Sequence, residues 1–270
     1  MSKTILTLKK APHVPLEAEV LTPDVFAALG HAEICALPVV LGKRQRRLDD
    51  FFEVEGAGSE EIEIHGDVGR VKWIGREMTR GRISIFGNAG MHLGAYMKGG
   101  TIEVTGNASD WIGAEMRGGL IRVDGNAGGQ VGAAYRGSLS GMNGGTILVG
   151  GTAGLELGMR MRRGIIAVKG VARDFAGLQM KGGTIFLMGG AEVRTGAWMI
   201  RGTIVSLKPI QLMPTFTYAC AYNPTFLNLY AKHLAGLGYA LPLDGAYRRY
   251  TGDTSVPGKG EILVWSPHPD

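Results

Sequence analysis

Cysteine is scarce in this chain. There are two in 270 residues, Cys35 and Cys220, with no metal-ligand spacing between them. They read as reduced thiols of a cytoplasmic protein rather than as a disulfide framework. No apolar run approaches the ~18 residues of a membrane span, and the opening MSKTILTLKK holds no signal-peptide apolar region. Neither a membrane nor a nucleic acid is expected as a partner. Catalytic signatures are missing too: the chain has no GxSxG, HExxH, CxxC or Walker loop. Its six histidines (His13, His31, His65, His92, His233 and His268) are scattered, with no pair at ligand spacing. The GGTAG stretch at 150–154 is not followed by a helix start, so it reads as a turn rather than a phosphate cradle. A net charge of +5 is a mild basic bias that favours an acidic partner or substrate without naming one.

Glycine is abundant: 44 residues, about 16% of the chain against an average near 7%. Most of it lies between 56 and 202 and in register. GNAGMHLGAYMKGGTIEVT (87–105) is followed by GNASDWIGAEMRGGLIRVD (106–124). Units begin at Gly87, Gly106, Gly125, Gly151, Gly170 and Gly189, spaced 19, 19, 26, 19 and 19 residues apart. A degenerate unit covers about 68–86, and EGAGSEEIEIHGD (55–67) reads as a half-formed one before it. Each unit has a glycine eight residues in and, three positions later, a large soft residue: Met78, Met97, Met116, Tyr135, Met161, Met180 and Met199. An alternating stretch follows, with Ile83, Ile102, Ile121, Ile147, Ile166, Ile185 and Ile204 in one column.

Alternation signals strands and glycine punctuates them, with no room for a helix inside nineteen residues. The spacing therefore predicts an all-β chain, a right-handed parallel β-helix of about seven coils, with small mixed caps at both ends. One coil cannot bury its apolar face alone, which explains the repetition. The expected division is 1–55 as an N-terminal cap and lead-in segment, 56–208 as the repeat domain, and 209–270 as a C-terminal cap with one helix. Thr4–Leu8 reads as a strand, and Thr22-Pro23-Asp24 as a helix start that Gly30 closes. A second helix is expected from an Asn223 cap and Pro224 to Ala235, closed by Gly236, with a last strand in 258–265.

Two features resist a purely structural reading. The residue after each methionine position is basic at Lys98, Arg117, Arg136, Arg162 and Lys181, with Arg80 and Arg201 one position along in the end units. If methionine points inward, the basic residue points outward. Like charges then stack ~5 Å apart, each adjacent pair repelling by under ~1 kcal/mol in water. The alternatives are a solvated edge and a track for a polyanionic ligand or an acidic partner. The second feature is the seven-residue insertion in the unit 125–150, around AAYRGSLSGMNGG (133–145). Gly137 and Gly141 bracket the tip Ser138-Leu139-Ser140; Tyr135, Arg136, Ser138, Met142 and Asn143 are the candidate partner or ligand residues.

The GNxxxxxG…M(K/R)GGxIxV units with one AYRGxxxGMxGG interruption resemble the glycine-repeat domain shared by two enzyme groups. One is the C-terminal domain of the glutamate synthase large subunit. The other is the C subunit of formylmethanofuran dehydrogenase and of its bacterial relative, the formyltransferase/hydrolase complex. Likeness is strong over roughly 38–205, and LPVVLGKRQRRLDDFFEVEG (37–56) is similar to the lead-in of these C subunits. The resemblance implies a cytoplasmic scaffold protein without a catalytic site of its own. Its complex moves formyl groups between tetrahydromethanopterin and a methanofuran-type carrier, with release of formate. A metal-dependent amidohydrolase-like subunit and a formyltransferase subunit are the implied partners, and any metal lies on them. No covalently bound cofactor is implied for this chain. The carrier's polyglutamate tail is a natural ligand for stacked arginine and lysine. The alternatives are the C subunit of a molybdenum or tungsten formylmethanofuran dehydrogenase and a structural subunit of a glutamate synthase-like enzyme. A carbohydrate-active enzyme would need clustered Asp and Glu on one strand face, which the units lack.

Overall fold

The computed structural model describes residues 3–242 and 244–267, so His268 lies outside the described residues. Seventeen strands are formed by the described residues. The first seven are β1 (Thr4–Leu8), β2 (Leu16–Glu17), β3 (Pro38–Leu41), β4 (Arg44–Arg47), β5 (Phe52–Glu55), β6 (Glu61–His65) and β7 (Val71–Lys72). The repeats supply β8 (Arg82–Phe86), β9 (Thr101–Val104), β10 (Leu120–Val123), β11 (Asn143–Val149), β12 (Arg163–Val168), β13 (Lys181–Leu187) and β14 (Arg201–Ser206). The last three are β15 (Thr217–Tyr222), β16 (Ala246–Gly252) and β17 (Gly260–Ser266). One sheet of thirteen strands runs β15-β16-β17-β14-β13-β12-β11-β10-β9-β8-β6-β1-β5, and β4-β3-β2-β7 form a second sheet. The large sheet is mixed: its β6, β8 to β14 and β17 stack in parallel, whereas the end strands pair antiparallel.

Register follows the repeat. Ile62, Ile83, Ile102 and Ile121 sit opposite one another, and the column continues through Ile147, Ile166, Ile185 and Ile204 to Ile262. All of these side chains are buried. Neither Ile62 nor Ile262 lies in a well-formed repeat, yet both complete the stack. A second parallel ladder joins single residues, Val68, Ala89, Ala108, Ala127, Ala153, Ala172 and Ala191. Close to this ladder the amide N–H of Asn107 donates to Asn88 Oδ1 (2.9 Å) and that of Asn126 to Asn107 Oδ1 (2.8 Å). The Asn of each GN pair thus satisfies a backbone donor of the next unit.

The structure corrects the alignment of the long unit. Met142, not Tyr135, occupies the methionine position. Its N–H donates to Gly132 O (2.9 Å), as Met97 does to Gly94 and Met161 to Gly158. Met142 is fully buried, like Met116 and Met161 on the neighbouring rungs, so the methionine column is unbroken. The inserted residues are 135–141, and Tyr135 leaves the rung altogether. Chain geometry explains this: an insertion bulges at the corner, and the core resumes at the next residue that fills it.

Two helix boundaries also differ. Helix α1 (Pro23–Phe26) starts as expected, with Thr22 Oγ1 accepting from Val25 N, but stops at Phe26. Gly30 instead precedes α2 (His31–Cys35), where the Glu33 carboxylate accepts from the Gly30 amide (2.8 Å). Helix α3 (Leu227–Ala235) starts three residues beyond Pro224, with Phe226 at the N-cap position, and ends at Gly236 as expected. It lies on the outer face of the sheet: Leu227, Ala231 and Leu234 pack on Leu148, Phe186 and Val205 in a second apolar cluster. Outward positions of the earlier strands carry Ser84, Glu103 and Arg122, and those of the later ones Leu148, Ala167, Phe186 and Val205. That change from polar to apolar marks where the helix folds back.

Candidate functional site

Each unit turns through left-handed backbone at a residue other than glycine, and every unit except the long one (125–150) does so twice. One column is Trp73, His92, Trp111, Gln130, Glu156, Phe175 and Arg194, with φ between 57° and 69°. A second holds Glu77, Tyr96, Glu115, Arg160, Gln179 and Trp198, with φ between 53° and 59°. Such a conformation costs about 1–2 kcal/mol per residue. It is offset by donation into the next unit, as from His92 N to Asp110 O (3.0 Å) and from Tyr96 N to Ala114 O (2.9 Å). Large side chains are thereby presented in stacked columns along one side of the repeat array.

The insertion lies across these columns. Tyr135 enters an aromatic cluster: its ring is 4.9 Å from Trp111, 5.5 Å from Tyr96 and 5.6 Å from His92, and Trp73 stacks on His92 at 4.1 Å. The Tyr135 hydroxyl lies 2.8 Å from His92 Nδ1, and the Tyr135 amide donates to Glu115 Oε1 (3.1 Å). Burial pushes the Tyr135 phenol well above its usual range. Burial, with the Lys72 charge adding to it, lowers the His92 pKa to about 4. At neutral pH the His92 imidazole is therefore uncharged. Farther along, Arg160 Nη1 donates to Ser138 O (2.6 Å) and Lys181 Nζ to Leu139 O (2.8 Å). Leu139, at the tip, is 72% exposed.

The basic ladder is regular but differently composed. Lys98, Arg117, Asn143, Arg162 and Lys181 occupy equivalent places: each amide donates to the carbonyl of the preceding methionine rung, as Arg117 to Met97 and Asn143 to Met116 (both 2.7 Å). Asn143 stands where a third cation was expected. Arg136 rides on the insertion, exposed and off the ladder. Five like charges in a row is thus not what the fold contains. At the N-terminal end charge is neutralised, by Lys98 with Glu77 (3.4 Å), Arg80 with Glu60 (3.0 Å) and Arg82 with Glu103. At the C-terminal end it is not. Asn143, Arg162, Arg163, Lys181 and Arg201 line a groove of about 430 Å³ with four cations and no carboxylate.

The ladder and the insertion therefore meet. Lys181 belongs to both, and it also borders a mainly apolar groove formed with Leu139, Arg160, Trp198 and Ile200. Ser138 contributes its carbonyl to Arg160, and Met142 is core rather than site. Arg163 escapes a reading by column because it stands one position beyond the one that alternation follows; strand pairing brings it opposite Asn143 and brings Arg201, already noted one position along in its end unit, opposite Lys181. The aromatic column is visible at nineteen-residue spacing in Trp73, His92 and Trp111. Among the described residues no group of three or more His, Cys, Asp or Glu could hold a metal ion, and no helix is long and apolar enough to cross a membrane.

A family described as the GXGXG motif matches residues 66–214. Over 100 residues the chain is 46% identical to the C subunit of a tungsten-containing formylmethanofuran dehydrogenase 2 from Methanothermobacter marburgensis. It is 45% identical over 98 residues to the C subunit of a molybdenum-containing formylmethanofuran dehydrogenase 1 from Methanosarcina barkeri. The aligned stretch covers about a third of this chain and spans 37% and 33% of those relatives' lengths. A chain in the crystal structure of the formyltransferase/hydrolase complex (FhcABCD) from Methylorubrum extorquens, solved in complex with methylofuran, matches over 97% of this chain and 99% of its own. The two superpose with a TM-score of 0.91 at 34% identity. The chain belongs to the GXGXG-motif family and, within it, to the relatives of the formylmethanofuran dehydrogenase C subunits.

Proposed function

We propose that this chain is the scaffold subunit of a cytoplasmic formyltransferase/hydrolase complex. That complex would move formyl groups between tetrahydromethanopterin and a methanofuran-type carrier and release formate. The observation that carries this reading is the end-to-end likeness to one chain of such a complex, 97% of the length at 34% identity. The dehydrogenase relatives align over about a third. They favour a second reading, the C subunit of a tungsten or molybdenum formylmethanofuran dehydrogenase. In both readings the stacked units act as one rod, a right-handed parallel β-helix of about seven coils. The in-register isoleucine and alanine ladders support that form. The expected neighbours are an amidohydrolase-like subunit and a formyltransferase subunit.

The basic groove gives the scaffold a second task in this reading. Arg162, Arg163, Lys181 and Arg201 have four positive charges and no internal carboxylate, which suits a chain of carboxylates such as a carrier's polyglutamate tail. The test is the complex carrying Arg162→Glu and Arg163→Glu together, assayed for carrier bound per complex by mass spectrometry after denaturation. Carrier lost while the subunits stay assembled supports the tail site. Carrier retained at the wild-type level removes it and leaves the scaffold reading standing.

A further inference from the structure

The last unit departs from the repeat at two exposed places. Earlier units put Lys98, Arg117, Arg162 and Lys181 directly after the methionine rung. Here Ile200 stands, its amide donating to Met180 O (2.8 Å). In the left-handed column two positions earlier, Arg160 and Gln179 are followed by Trp198. Trp198 is 50% exposed and Ile200 39%. Stacking requires neither side chain, because the buried Met199 between them fills the rung.

Both are nonetheless held in place. Buried Asp253 accepts from the Trp198 amide (2.9 Å), and Lys259 N donates to Ile200 O (2.7 Å). The C-terminal cap thus fixes the backbone on either side of Met199. The Asp253 carboxylate is itself anchored, accepting from Ser255 N (2.9 Å) and Ser255 Oγ (2.7 Å). The insertion closes the other side, its tip carbonyls bonded by Arg160 and Lys181. Leu139 at that tip, Trp198, Ile200 and Val256 of the cap border one groove of about 440 Å³. A single exposed apolar residue is ordinary; a framed cluster of three marks an interaction site.

Charge around this groove has one sign. Arg160 and Lys181 line it, and no carboxylate does. Neither cation is spent. Arg160 donates through Nε to Gln179 (2.7 Å) and through Nη1 to Ser138 O, which leaves its Nη2 donors. Lys181 gives one of three ammonium protons to Leu139 O. Arg160 is not among the residues of the basic groove, so the two sites are separable. Indole and guanidinium side chains are also those that dominate protein interfaces. A peptide with a large apolar residue beside Asp or Glu matches both the floor and the rim. We propose that this groove docks such a segment of a protein partner in the same assembly, its apolar side chain on Trp198 and its carboxylate on Arg160 and Lys181. The proposal rests on the scaffold reading, which supplies the partner.

The test places the photocrosslinker p-benzoylphenylalanine at Leu139, in the assembly purified from its own host. Light inserts the probe's ketone into a C–H bond of whatever lies in the groove; the ketone carbon gains the C–C bond and its oxygen gains the hydrogen. Peptide mapping by mass spectrometry reads the product. The expected crosslink reaches a co-purifying subunit, at a large apolar residue next to Asp or Glu. Adding Trp198→Ala should cut its yield at least about tenfold, while Trp198→Phe keeps it. Both variants should melt within a few degrees of wild type, because the indole lies outside the core. Four results would overturn the docking groove: an intact assembly without a crosslink, a crosslink to a small molecule or to this chain, a crosslinked segment lacking Asp and Glu, or an unchanged yield in Trp198→Ala. The scaffold reading survives all four, whereas a lone chain removes both.

Discussion

The Tyr135 hydroxyl lies 2.8 Å from His92 Nδ1, so a residue of the insertion is bonded to a unit more than forty positions earlier. That bond, with the rings of Trp73, Tyr96 and Trp111, fixes the N-terminal root of the insertion; Arg160 and Lys181 fix its tip. Tyr135→Phe keeps the packing and removes one hydrogen bond, for a loss of about 1 kcal/mol. Tyr135→Ala also empties the aromatic seat and should open residues 136–141 to proteolysis while the repeats stay folded. Cleavage rates at the loop, compared with urea unfolding of the whole chain, check this; equal loop cleavage in wild type and Tyr135→Ala would contradict it.

Met142 and Tyr135 exchange importance between sequence alignment and structure. Met142→Ala removes a fully buried rung and should cost about 2–5 kcal/mol. Tyr135→Ala, at the half-buried loop root, should cost less. Chemical unfolding of the two variants decides between the assignments, because an alignment with Tyr135 on the rung predicts the reverse order.

Gly113 has φ +58°, and a Cβ built there would lie 2.5 Å from Ile147 Cδ1. Gly113→Ala therefore combines left-handed strain with overlap on the isoleucine column, and should destabilise by about 2–4 kcal/mol. Gly137, on the insertion, also has a positive φ but open space around it. Gly137→Ala should cost about 1–2 kcal/mol, from backbone strain alone. Thermal unfolding of the pair separates the two contributions.

The His92 imidazole titrates near 4 in the folded chain, against 6.5 for a free histidine. The unfolded chain thus takes up a proton below pH 6.5 that folded His92 refuses until about pH 4. Stability from this group is complete above pH 6.5 and declines as pH falls toward 4. Burial of the ring is only partial, so the effect is modest. His92→Phe keeps a ring on Trp73 and removes the proton. Between pH 7 and pH 4.5 its urea midpoint should fall less than that of the wild type; equal falls would contradict the assignment.

Much of the fold is readable because burial repeats with the units: the isoleucine column, the methionine column outside the long unit, the glycine turns and the strand Thr4–Leu8 stand where the alternation puts them. Less of the site is readable. Nineteen-residue counting shifts at the insertion, so Tyr135 falls on the methionine column and Arg136 on the basic ladder, although both belong to the loop. Arg163 enters the groove through cross-strand pairing with Asn143, which no single unit displays. The left-handed columns at Trp73, His92 and Trp111 run against residue preference and are stabilised only by the neighbouring unit. A helix stop at Gly30 rests on a local capping rule, whereas Gly30 instead precedes α2, its amide donating to the Glu33 carboxylate.

Native mass spectrometry of the tagged chain, purified from its own host at low salt, tests most directly the proposal that this chain is an assembled scaffold. Stoichiometric amidohydrolase-like and formyltransferase subunits are expected in the same particle. A stable lone chain, or partners that belong to glutamate synthesis, would contradict it.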